Sequence, residues 1–180
     1  MNLLSFSLLL VVSTSVFADK NKSYKGNEIA IQYAGDIGKY SIGYGKRFND
    51  IYTLRLFYGI VPSNKLQNKI ETYSIKNNFS IFYYDYKKLR YSLYLGLGLN
   101  HVPGDKYKTN ELAETPDDYY RQSSLRGSLY IGHEIEYNKI SSIYFESSIN
   151  DVWIINSINN DTIDYKDHVT LGVGVTYKFE

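Results

Sequence analysis

Cysteine is absent from the 180 residues. That excludes a disulfide framework, thiolate metal sites and a cysteine-linked lipid anchor. Charge of one sign is also missing: 20 Lys and Arg stand against 19 Asp and Glu, for a formal net charge of +1. With no basic stripe along the chain, there is no electrostatic case for a nucleic-acid partner. Long apolar runs are lacking after the first residues, so no transmembrane helix is expected in the rest of the chain. Aromatic side chains, by contrast, are plentiful, with 20 Tyr and 8 Phe. Many aromatics in a chain of negative mean hydropathy suit a sheet that places its apolar residues at every second position.

The N-terminal residues 1–18 read as a secretory signal peptide. Leu3 through Val12 form the apolar core and Val16-Phe17-Ala18 a cleavage site, although no Lys or Arg precedes the core. The run is shorter than the ~20 apolar residues that span a bilayer, which argues against a retained anchor. The mature chain is expected to begin near Asp19, with a loose polar segment over 19–26 and one domain over 27–180.

The last strand, 169–179, sets the pattern. Val169, Leu171, Val173, Val175, Tyr177 and Phe179 share one face, and Thr170, Gly172, Gly174, Thr176 and Lys178 the other. A period of two is the strand signal, and an apolar face ending in aromatics over a small or polar face is the form expected of a transmembrane barrel strand. Similar alternation predicts strands over 28–34, 39–48, 51–61, 70–82, 90–100, 124–137 and 140 to about 153. Asn49-Asp50 and Asn138-Lys139 are read as two-residue hairpins, 36–38 as a tight connection and 83–89 as a turn. Long polar stretches fall at 62–69, 101–123 and 156–167, so short and long connections alternate. An outer-membrane barrel has short periplasmic turns, long extracellular loops and, with an even strand number, both termini in the periplasm. The fold class is therefore all-β: an eight-stranded antiparallel up-and-down transmembrane barrel.

The mature chain resembles the small eight-stranded outer-membrane barrels of the OmpX and OmpA-membrane-domain kind. The resemblance is one of architecture and brings no catalytic residues with it. It implies a bacterial outer-membrane location, with membrane lipid and lipopolysaccharide around the barrel and a monomeric state. Such barrels end in a strand with a terminal aromatic that the barrel assembly machinery reads; here Phe179 is followed by Glu180.

Eight strands leave an interior that side chains fill. The inward glycines 43, 45, 96, 98, 172 and 174 make room for Arg55, Tyr94, Arg126, Tyr130, Glu134, Tyr144 and Glu146. Charges in such an interior must pair, so Arg55 and Arg126 are expected to form an ion-pair network with Glu134, Glu136 and Glu146. A filled lumen is favoured over a proton or ion path. The G-x-G pairs lie on the lumen face with no helix after them, so they are not a nucleotide fingerprint.

No cofactor and no metal are expected. His101 and His168 fall near one rim with Asp105, Asp117, Asp118, Asp164 and Asp167, but no ligand spacing joins them. His133 has lipid-facing parity. Glu146-Ser147-Ser148 loosely resembles the His-x-Ser-Asn motif of PagL-type lipid A deacylases, with Glu where the general-base His would stand. A serine nucleophile needs a base, which His101 or His168 would have to supply to Ser148. Inert lumen serines are the simpler reading. Aromatics gather toward both barrel ends: Tyr52, Phe82, Tyr83, Tyr84, Tyr86, Tyr91, Tyr137, Tyr177 and Phe179 at one, Tyr58, Tyr119, Tyr120 and Trp153 at the other. Two interfacial girdles account for them, with Tyr119, Tyr120 and Trp153 as a carbohydrate platform in second place. A structural or surface-interaction role comes first, with lipid A acyl-chain hydrolysis or a narrow channel as alternatives.

Overall fold

The computed structural model describes residues 25–63, 69–103, 124–151 and 169–179. The expected signal peptide and most of the segment after it, and most residues of the three long connections, lie outside them. Eight strands close into one antiparallel barrel in chain order: β1 (Gly26–Ala34), β2 (Tyr40–Arg47), β3 (Tyr52–Val61), β4 (Ile70–Tyr86), β5 (Leu89–His101), β6 (Leu125–Tyr137), β7 (Ser141–Asn150) and β8 (Thr170–Phe179). The seam is β8 on β1, with Ile29 opposite Tyr177 and Asn27 opposite Phe179. Among the described residues each strand is paired on both sides over most of its length, and residues 81–86 of β4 extend past β3 and pair with β5 alone.

The interior of this barrel is polar and its exterior apolar. Along β1, Ile29, Ile31 and Tyr33 are exposed while Glu28, Ala30 and Gln32 are buried. The alternation repeats in the other strands and in β4 as far as Phe79, and among the described residues the buried apolar cluster is Ala30, Ile37 and Phe57. Leu97, Leu129 and Leu171 are 53%, 52% and 68% exposed, respectively.

The turns explain where the expected strand limits shift. Phe48 N–H bonds the Tyr52 carbonyl at 3.0 Å, so the β2–β3 connection has four residues, not two. Asn49 Oδ1 holds it, accepting from Ile51 N at 2.9 Å and Tyr52 N at 2.7 Å. Residues 83–86 are not a turn: they extend β4, and Lys87-Lys88 alone reverses the chain. A bulge between Ser80 and Phe82 breaks the period of two there, which hid the continuation. Past the bulge, Tyr83 faces the interior instead of joining the outer aromatics. Its ring lies 4.7 Å from the Arg90 guanidinium carbon. Strand seven stops at Asn150, short of Trp153. Asn138 and Lys139, with φ of 53° and 62°, make the β6–β7 reversal; two positive φ angles match the right-handed twist of a hairpin.

The β1–β2 connection does more than join strands. With Gly35 at φ 85°, the chain folds back over the barrel mouth and buries Ile37 completely. Gly59 is required beneath it, because a β-carbon there would meet the Ile37 side chain at 2.6 Å.

Candidate functional site: the filled lumen and its outer face

The lumen is a column of paired groups. The end that holds the long connections is called the loop end below, and the other the terminus end. At the loop end, Asp36 accepts from Asn100 Nδ2 at 2.5 Å, Asn150 Nδ2 at 3.3 Å and the Ser128 hydroxyl. The inward-folded connection is thereby tied to β5, β6 and β7 across the mouth.

Below it, Lys76 bonds Glu146 and lies 3.2 Å from Gln32 Oε1. Its ammonium sits 4.3 Å from the Tyr130 ring centre and 5.2 Å from that of Phe57. Tyr94 donates to Glu146 at 3.1 Å and Tyr144 to Gln32 at 3.0 Å. Each large ring occupies space left by a glycine on the neighbouring strand. Phe57 faces Gly43, Tyr94 faces Gly132, Tyr130 faces Gly96 and Tyr144 faces Gly174, each pair directly opposite in the ladder.

Toward the terminus end lies the main charge cluster. Arg55 bonds Glu28 and approaches Glu134 at 3.5 Å. Arg47 donates to Glu136 at 2.9 Å. Lys178 donates to Glu134 at 3.0 Å and also to Glu136. Ser142 adds a 2.6 Å hydrogen bond to Glu134. Three cations thus face three carboxylates, all of them buried. Each of these charges has an opposite charge within 3.5 Å, which is what permits charges in a low-dielectric interior. Glu28 Oε2, Arg47 Nε and Glu136 Oε1 have no hydrogen-bond partner among the described residues. At the rim, Arg90 closes the column against Asp85 and Asp50.

Of the five residues expected in the network, Arg55, Glu134, Glu136 and Glu146 lie in this column, in two groups. Glu146 belongs to the Lys76 group and the others to the terminus-end cluster. Arg126 is placed elsewhere. It stands eight residues before Glu134 on β6, roughly 26 Å at about 3.3 Å per residue, near the loop end opposite Asn100. Besides Arg55, the cations that meet these carboxylates are Arg47, Lys76 and Lys178. All three have inward parity, as does Glu28, so alternation alone could have found them; the register that brings them together could not be read from one strand.

Among the described residues considered for acyl hydrolysis, no histidine is brought to Ser148. Ser148 is buried, with its hydroxyl 2.5 Å from that of Thr170. Glu146 is engaged by Lys76 and Tyr94. His101 continues the exposed series Leu95, Leu97 and Leu99 on β5, so it stands on the outer wall while Ser148 stands inside. His168 lies outside the described residues, as do Asp105, Asp117, Asp118, Asp164 and Asp167 and the suggested platform of Tyr119, Tyr120 and Trp153. His133 is on the outer wall, its Nδ1 2.6 Å from the Tyr91 hydroxyl.

The outer wall has its own order. Tyr33 packs on Tyr40 and Tyr58 on Tyr73 near the loop end, with ring centres 5.6 and 5.4 Å apart. Phe48, Tyr52 and Phe79 stack in series toward the terminus end. Between them the outward side chains are mainly Ile, Leu and Val, with Tyr44, Phe145 and the polar Asn77 and Ser147 among them. Asn77 accepts from the Tyr52 hydroxyl at 2.8 Å.

No known protein family and no curated protein matches the sequence. Solved structures do. The N-terminal β-barrel domain of Pseudomonas aeruginosa OprF aligns with a TM-score of 0.52 at 13% identity, over 88% of this chain and all (100%) of that one. The outer membrane enzyme PagL aligns with a TM-score of 0.50 at 11% identity, over 85% of this chain and 97% of that one. The chain has the fold of the small outer-membrane β-barrels. At these identities the likeness is one of fold, and it spans two proteins of different kinds, so the role has to be argued from the side chains.

Proposed function

We propose that this protein is a bacterial outer-membrane barrel with a structural or surface-interaction role, not a wide pore. One observation carries the reading: the exposed band, mainly of Ile, Leu and Val, around the barrel, bordered by tyrosines and phenylalanines. A water-soluble protein rarely exposes more than a few hundred Å² of contiguous apolar surface, whereas a bilayer requires such a band. The aromatic clusters serve as interfacial girdles. In this reading the termini and short turns face the periplasm, and the segments 62–69, 101–123 and 156–167 face outward, toward lipopolysaccharide and external partners. The lumen supports the second half of the proposal. Its rings and ion pairs occupy the cross-section that a solute would need.

In this reading the barrel is a monomer, since β8 closes on β1 and leaves no open seam for a second copy to complete. Strand β8, ending in the aromatic Phe179, is the segment offered to the barrel assembly machinery.

The test is folding into lipid vesicles. Refolded protein is expected to migrate differently on a gel before and after boiling, and its strands are expected to resist protease added outside the vesicles. A single mobility at all temperatures, with complete digestion, would sink the membrane reading.

A further inference from the structure

The terminus end of the barrel carries a ring of exposed lysines. Lys46 is the last outward residue of β2, Lys87 and Lys88 form the whole β4–β5 turn, and Lys139 sits in the β6–β7 turn. Two of the three connections at this end therefore contain lysine, and Lys46 stands two residues before the third. The described carboxylates beside them, Asp50 and Asp85, are both ion-paired to Arg90, with Lys139 also near Asp85. The lysines exceed what those acids can neutralise.

Two of these positions are unfavourable places for a lysine. Lys87 and Lys139 have φ of 54° and 62°, a conformation in which glycine or asparagine is the usual occupant. The ammonium groups also have a definite location. Lys46 Nζ lies 5.7 Å from the Phe48 ring centre, and Lys87 Nζ lies 5.2 Å from that of Tyr86. Both rings belong to the outer wall, so these two charges stand at the wall where the aromatic band ends and do not cap the lumen.

The opposite end has the other sign in sequence. Segments 102–124 and 151–169 each contain more Asp and Glu than Lys and Arg, while 62–69 carries Lys65 and Lys69 and no acid, which leaves the three together with an excess of acid. The charge asymmetry follows the barrel axis.

We propose that the lysine ring is a binding site for anionic phospholipid headgroups in the leaflet facing the terminus end. The inference rests on the membrane-spanning reading above. A cation at the foot of an aromatic band meets lipid phosphates at the depth where they lie. Each lysine near an anionic lipid surface strengthens attraction by roughly fivefold, and salt screens it. The ring would fix the depth of the barrel and gather anionic lipid around its base.

The experiment is native mass spectrometry of the folded full chain in detergent, titrated with phosphatidylglycerol or with phosphatidylcholine of the same acyl chains. The comparison variant combines Lys46→Gln, Lys88→Gln, Lys87→Asn and Lys139→Asn. Asparagine tolerates positive φ, so this variant is expected to fold at least as well as the wild type. The wild type is expected to retain phosphatidylglycerol several-fold more than phosphatidylcholine, with the preference falling at high salt. The variant is expected to bind both lipids equally. Equal binding by the wild type, or a preference that survives in the variant, would overturn the proposal. The same protein is offered to vesicles. Failure to insert would remove the membrane reading and the lipid site together, whereas insertion without lipid discrimination would remove the lipid site alone.

Discussion

The phenol ring of Tyr94 lies across Gly132, the residue directly opposite it in the β5–β6 ladder, so closely that a β-carbon at 132 would overlap the ring. The same relationship joins Tyr144 to Gly174. Each glycine provides the depth that lets a tyrosine cross the lumen and reach its partner, Glu146 or Gln32. These glycines serve packing, not backbone conformation.

Replacing Gly132 by valine is therefore expected to destabilise the barrel by about 1–3 kcal/mol, the usual range for overpacking. Urea unfolding of vesicle-reconstituted protein would measure it. Combining the change with Tyr94→Leu should recover part of the loss, because the second substitution removes the ring that the valine strikes. Strictly additive losses would show that the two side chains do not compete for one space.

Glu134 receives Lys178, Arg47, Arg55 and Ser142. Glu134→Gln is expected to cost about 3–5 kcal/mol, since it leaves a buried cationic charge without its counterpart. Removing both members of a pair, as in Lys178→Met with Glu136→Met, should cost less than removing Glu136 alone. The comparison separates the penalty of an orphaned charge from the net value of the pair, and equal losses would contradict the cluster described.

Asp36 ties the β1–β2 connection across the mouth to Asn100, Ser128 and Asn150. Asp36→Ala is expected to lower stability by about 1–3 kcal/mol, because buried donors lose their acceptor. Hydrogen exchange should quicken first at residues 35–39. Unchanged protection there would mean that the connection is held by Ile37 alone.

Conduction and hydrolysis can be checked on the same preparation. Planar bilayers containing the wild type are expected to stay silent across salt conditions, since Phe57, Tyr94, Tyr130 and Tyr144 and the ion pairs fill the lumen. Tyr94→Ala with Tyr144→Ala is the variant in which small openings are expected. Lipopolysaccharide incubated with the protein is expected to keep its mass, because the Ser148 hydroxyl is paired with Thr170. Loss of an acyl chain that Ser148→Ala abolishes would make the protein an enzyme.

The period of two in 169–179 and its repeats determined the strand number, the inward and outward faces and the class of fold, because alternation is a local property of the chain. It faltered where local geometry breaks the period, at the bulge after Ser80 and at the connection that sends Ile37 inward. Inward parity marked Arg55, Glu134, Glu136 and Glu146 but could not select their partners. Register and closure decided those: they carried Arg126 to the loop end and brought Arg47 and Lys178 from β2 and β8 to carboxylates on β6. Exposed charge is likewise plain in the sequence as single lysines. Only the barrel gathers Lys46, Lys87, Lys88 and Lys139 at one end, because a ring is a relation between strands that are far apart in the chain.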